Sequence, residues 1–165
     1  MVWEPVSSVA AMPEAVRFWL LDTGSLTDRI EKACEHFSLT LIGEGHAPVH
    51  HSEHERLQSS QPVTVREVLL CNDATPWVYA RSVIPDVLMS AEFNQLGDQP
   101  LGRRLFNDAR FSRGEFEICR TSHPFFAADS GLTLWGRRSV FHFQQHALLV
   151  AELFLPASPL YQTDC

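Results

Sequence analysis

Lysine is almost missing from this chain: Lys32 is its single representative among 13 basic residues. Arginine carries the rest, which suits recognition of planar carboxylates and is also what GC-rich codon usage produces, the second being the weightier explanation. Acids number 20, the formal net charge is -7, and no stretch clusters Lys or Arg as a nucleic-acid footprint does. DNA and RNA are therefore excluded as partners. No apolar run approaches the ~20 residues needed to cross a bilayer, so stable membrane insertion is not expected. The four cysteines, Cys34, Cys71, Cys119 and Cys165, show no CxxC spacing, and the N-terminus lacks the charged start and apolar stretch of a signal peptide. Free thiols and a cytoplasmic location follow. Missing too are GxGxxG, GK[ST], GxSxG and HExxH, so phosphate cradles, nucleophile elbows and zincin chemistry have no support. The pattern predicts no cofactor and no metal.

What remains is ordinary globular material. A chain of 165 residues, 45% hydrophobic and 10% aromatic, can bury one real core, and nothing within residues 1–165 marks a linker or a repeat. Pro13 to Leu21 reads as a short helix with Pro at its first turn. After Gly24, Ser25 and Asp28 resemble a capping box opening a second helix through Leu26, Ile30 and Ala33. Phe37 to Ile42 alternates as a first strand. Val65 to Cys71 and Trp77 to Ile84 form a hairpin about the turn residues 72–76. Asp86 to Leu96 and Pro100 to Phe106 make a second helical pair. Strands follow around Phe116 to Cys119, Thr133 to Phe143 and Ala147 to Leu155. Hairpin-length links between strands and paired helices predict an α+β fold: a single domain, mostly antiparallel, with about six strands.

The run from Leu148 to Pro156 is apolar on both faces of any strand it forms, with one carboxylate at its centre. Glu152 shares a face with Leu148, Val150 and Phe154, so it must be paired, protonated or holding a ligand. Arg66 likewise shares a face with Val68 and Leu70, opposite Glu67, and an inward guanidinium wants a carboxylate from a neighbour or a substrate. The two bind opposite ends of one small acid, or form a buried ion pair with each other. Arg81 sits beside Arg66 or at the sheet's outer edge. Arg103, Arg104, Arg137 and Arg138 read as solvated, since adjacent residues on a strand cannot both face one site. Cys71 reads as a packing residue. His46, His50, His51 and His54 have metal-compatible spacing only if their segment is helical, and a solvated loop over 46–62 explains them without a ligand role.

The strings VREVLLC (65–71), PLGRRLF (100–106), LWGRRS (134–139) and AELFLPASPLY (151–161), in this order and spacing, resemble the chorismate lyase family. The resemblance runs from about Phe18 to Tyr161. It implies helical flaps closing over an enclosed site where chorismate is split into 4-hydroxybenzoate and pyruvate without a cofactor, on the way to ubiquinone. By position, Arg66 and Glu152 match the family's carboxylate-binding arginine and hydroxyl-binding glutamate. Leu26 and Leu101 match positions whose main-chain amides contact the ring carboxylate. Two departures stand out: Leu26 replaces an expected methionine, and the segment 121–131 is longer than usual.

The resemblance makes Arg66 and Glu152 the catalytic pair, with Leu26 and Leu101 also binding substrate; the mechanism, rather than the resemblance, adds Arg81 as a substrate-binding residue and has Arg81 or Arg137 take the side-chain carboxylate. A monomer subject to product inhibition is expected. The competing expectation is a non-catalytic sensor of small aromatic acids, since a similar fold serves transcription regulators. Such a sensor carries a DNA-binding domain, for which the stretch before the first helix is too short.

Overall fold

In the computed structural model, residues 2–97, 99–121 and 133–162 are described. The elements run β1 (Trp3–Pro5), α1 (Glu14–Leu20), α2 (Leu26–Ala33), β2 (Phe37–Gly45), α3 (His51–Leu57), β3 (Val63–Asn72), β4 (Thr75–Pro85), α4 (Asp86–Glu92), α5 (Leu101–Phe106), β5 (Ser112–Arg113), β6 (Glu117–Thr121), β7 (Leu134–Phe143) and β8 (His146–Phe154). One eight-stranded sheet has the order β1-β6-β7-β8-β4-β3-β2, with β5 added against β7. Every pairing is antiparallel. The fold is thus α+β as expected, with eight strands where about six were predicted. The additions, β1 and β5, are three and two residues long, too short to display a period.

Local chemistry sets the boundaries. The β3–β4 turn is tight because Asp73 adopts a positive φ of 53°, which Asp tolerates better than most residues. Ser25 caps α2, its Oγ accepting the Asp28 amide at 3.2 Å. The helix of α4 stops at Glu92, earlier than predicted, and turns lead from there to Gly97, whose φ is 56°. The segment 46–62, expected as a solvated loop, contains a helix, α3, beginning six residues after β2 ends at Gly45. The long link 121–131 lies outside the described residues after Thr121.

Both faces of the sheet are covered, and on one of them the core divides in two. Val68, Leu70, Val78, Trp135 and Phe154 pack beneath Val16 and Leu20 of α1 and Leu26 and Ile30 of α2. Farther along the strands, Ile84, Phe143, Leu148 and Val150 pack beneath Leu88 of α4 and Leu101 and Leu105 of α5. Between these apolar halves the same face carries Arg66, Ser82, Glu152 and Arg137, because cross-strand partners share a face and the register aligns them. A polar belt therefore crosses the middle of a hydrophobic face, roofed by the two helical hairpins. No helix among the described residues is long and apolar enough to cross a membrane.

Candidate active site

Glu152 stands directly opposite Arg137 on β7 and Ala80 on β4. Its side chain is 16% exposed and accepts from Arg137 Nε at 3.3 Å. Arg137, expected in solvent, is only 1% exposed. Its Nη1 also donates to the carbonyls of Leu20 at 2.9 Å and Asp22 at 3.0 Å, and its guanidinium lies 4.5 Å from the Phe116 ring centroid. The glutamate is thereby tied to the segment that leads into α2. Arg138, next in sequence, points to the other face, where Glu117 and Ser52 accept from it at 2.9 and 3.1 Å. Alternation does separate the two arginines, but both are buried because each face has its own cover.

Arg66 is 2% exposed, and its partner is Glu44, whose Oε2 accepts from Nη1 at 2.7 Å, while the Gln99 carbonyl accepts from Nη2 at 2.9 Å. The pairing depends on a register shift in β2 between Leu41 and Gly43. Simple alternation would put Glu44 across from Val65 and on the far face; the shift sets it across from Arg66. Arg66 and Glu152 are therefore not bonded to each other, and the guanidinium retains more donors than its two acceptors use.

Two adjoining lobes occupy the belt. The smaller, about 30 Å³, is lined by Arg66, Ala80, Ser82, Leu101 and Glu152 among others. The larger, about 130 Å³, is lined by Leu26, Arg113, Arg137, Phe141 and Glu152 among others. Thr27, Gly102, Val150 and Glu152 line both, so the carboxylate sits at the junction. Leu26 and Leu101 are the first residues of α2 and α5, positions whose amides have no acceptor within the helix. The helices are linked over the lobes by Arg103 on α5, which bonds Asp28 at 2.8 Å and also Glu31, both on α2. Arg103 is thus a clasp between the flaps, not a free surface charge.

Arg81 is placed differently from the expectation. It lies across from Glu67, on the face opposite Arg66, and is neither beside Arg66 nor at an edge. There Glu53 of α3 accepts from its Nε at 2.8 Å and its Nη2 at 3.0 Å, and the Pro48 carbonyl at 2.9 Å. Burial raises the Glu53 pKa, but the Arg81 hydrogen bonds and charge, with the His50 amide, outweigh it and hold the carboxyl below its ordinary value. Arg81, Glu53, Tyr79 and Arg138 line a cavity of about 860 Å³ that also touches Glu152. It is larger, but its cations are already matched: Arg81 by Glu53 and Arg138 by Glu117. The histidines do not converge. His46 meets Asp86, His51 meets Glu55, and the one metal-compatible grouping among the described residues, Glu35, His36 and Asp73, is exposed and elsewhere. Burial raises the Cys71 thiol, which suits a packing role.

Sequence reasoning missed Glu44, because the β2 register shift leaves no mark in hydrophobic pattern. It also missed Arg113, which lies in a two-residue strand, and discounted Arg137. For Arg137 a signal existed: LWGRRSV is apolar on both sides of its arginine pair, as a strand covered on both faces would be.

An α+β sheet with arginines at both ends of a roofed cavity and a single glutamate between them defines a binder or converter of a small organic acid. Sequence comparison sharpens that class. The chain belongs to the chorismate lyase family, whose model matches residues 1–165. A probable chorismate pyruvate-lyase of Pseudoalteromonas atlantica is 44% identical over 155 residues, covering 87% of this chain and 81% of that one. One from Shewanella sp. strain ANA-3 is 37% identical over 173 residues, covering 94% and 88%. Among solved structures, the fold is similar to the effector domain of PhnF from Mycobacterium smegmatis, with TM-score 0.57, 15% identity and coverage of 83% and 91%. It is similar also to the C-terminal domain of the histidine utilization repressor from Pseudomonas syringae, with TM-score 0.57, 8% identity and coverage of 79% and 97%. At such identities the likeness is one of fold.

Proposed function

We propose that this protein is a cytoplasmic lyase that converts chorismate into 4-hydroxybenzoate and pyruvate, supplying the aromatic ring of ubiquinone. The observation that carries this reading is the separate partnering of Arg66 and Glu152 on one covered face, with the cavity between them. A molecule with a carboxylate at one end and a hydroxyl para to it fits that pair. Arg66 takes the ring carboxylate through its remaining donors, assisted by the Leu101 amide of the same lobe, and Glu152 accepts the C4 hydroxyl, while Leu26 lines the other lobe. The reaction ends in an aromatic ring and is strongly downhill, so the protein has only to lower its barrier.

The bookkeeping is simple. The bond between C3 and the ether oxygen breaks, C4 loses its hydrogen, and that hydrogen reaches the methylene carbon of the departing enolpyruvyl group, which leaves as pyruvate. A cyclic transfer through six atoms needs no external base, so catalysis lies in holding the side chain over C4 and excluding water. Glu152, oriented by Arg137, strengthens its hydrogen bond as the hydroxyl becomes phenolic. Arg81, on the opposite face and paired with Glu53, is not assigned to this step. Purified protein mixed with chorismate, without added metal or nucleotide, is expected to release 4-hydroxybenzoate and pyruvate in equal amounts. Binding of 4-hydroxybenzoate with no turnover would favour the sensor-like relatives of the fold instead.

A further inference from the structure

Chorismate carries two carboxylates and its aromatic product one, so a lyase of this kind needs a second anion site that the product leaves vacant. The larger lobe contains a cation with that description. Arg113 pairs across β5 with Phe141 of β7, is half-buried, and lines the lobe alongside Glu152 and Arg137. Its guanidinium is 4.8 Å from the Phe116 ring centroid and 5.6 Å from that of Phe141, so two aromatic faces flank it. One Nη2 bond goes to the Thr23 carbonyl. No carboxylate of the described residues is in ion-pair contact with it, whereas Arg66 has Glu44 and Arg137 has Glu152. Burial lowers the Arg113 pKa and the like charge of Arg137 lowers it further, outweighing the opposing pull of the Glu152 and Asp22 carboxylates.

We infer that Arg113 is the residue that binds the carboxylate of the enolpyruvyl side chain and so selects chorismate over simple hydroxybenzoates. The layout matches the substrate: the ring carboxylate at Arg66 in one lobe, the C4 hydroxyl at Glu152 on the junction, and the C3 side chain in the lobe of Arg113. Arg137 is a positioning residue in this arrangement, since its Nε and Nη1 are engaged by Glu152, Leu20 and Asp22 and its charge is already matched by Glu152. The inference rests on the proposed reaction.

The test compares Arg113→Gln and Arg113→Lys with wild type in steady-state turnover of chorismate and in equilibrium titration with 4-hydroxybenzoate. For Arg113→Gln, kcat/KM should fall about 10- to 100-fold, the loss expected for one partly desolvated charge pair, mostly through KM. The Kd for 4-hydroxybenzoate should stay within about twofold, because the product never reaches Arg113. Arg113→Lys should recover part of the loss, and it carries the comparison if the Gln variant does not fold. Unchanged kcat/KM in the variants overturns the assignment, as does a parallel loss of affinity for 4-hydroxybenzoate. A wild-type protein that makes no 4-hydroxybenzoate overturns the underlying reaction instead, so the two failures are told apart.

Discussion

Replacing Arg66 by Ala separates binding from folding at this site. The side chain is 2% exposed, and its carboxylate partner Glu44 is 30% exposed. When the guanidinium is removed, Glu44 can turn to water, so the stability cost is modest for a buried charge pair. A ligand carboxylate held in the roofed lobe has no such escape. Truncating one member of a desolvated, hydrogen-bonded charge pair costs about 2–5 kcal/mol, which corresponds to roughly 30-fold to several thousand-fold in Kd. Equilibrium titration with 4-hydroxybenzoate and kcat/KM for chorismate should both fall in that range, while thermal unfolding remains cooperative. Arg66→Lys should lie between, since it keeps the charge and loses the planar fork. A folded Arg66→Ala protein with both quantities within about threefold of wild type would refute the reasoning.

Glu152→Gln keeps a hydrogen-bond acceptor but no basicity, so single-turnover rates near wild type are expected if the acid only orients the hydroxyl; Glu152→Ala should fail by either route. Gly136→Ala would set a Cβ 2.9 Å from Cys119 Sγ and 3.1 Å from the Glu152 carbonyl oxygen, so a loss of about 1–3 kcal/mol in denaturant unfolding is expected, with activity reduced through the displaced β8. Glu53 has a carboxyl pKa held down in the folded state, so it stabilises the fold above its unfolded pKa of about 4.3, and that contribution is lost as pH falls. Urea unfolding of wild type and Glu53→Gln should differ most near neutrality and converge under acid conditions. Product must leave through the flaps clasped by Arg103, so added 4-hydroxybenzoate should slow progress curves, and Arg103→Ala should relieve that inhibition by weakening the α2–α5 link.

The sheet was legible in the chain wherever period two ran for more than about four residues. The β3–β4 hairpin and the inward faces of Arg66 and Glu152 follow directly from such runs, and the paired helices from their proline and serine starts. Three things were not legible. The α3 helix lies in a stretch whose polar composition imitates a loop, yet it buries Glu53 against Arg81 by a long-range ion pair. Glu44 reaches Arg66 only because of a register shift set by strand pairing, which no local pattern encodes. Arg81 shares its alternation with Tyr79, but which face of β4 carries the cavity depends on the helices covering it, and both faces turned out to be covered. The polar belt itself is a tertiary feature: single polar residues on four strands, of which only Arg66 and Glu152 stood out in the sequence, meet through register.

A crystal structure with 4-hydroxybenzoate bound tests the central claim most directly. The account predicts one ligand between the flaps and the sheet, its carboxylate on Arg66 and its hydroxyl on Glu152. A ligand found instead in the larger cavity with its carboxylate on Arg81, leaving the Arg66 lobe closed at saturating concentration, would contradict it.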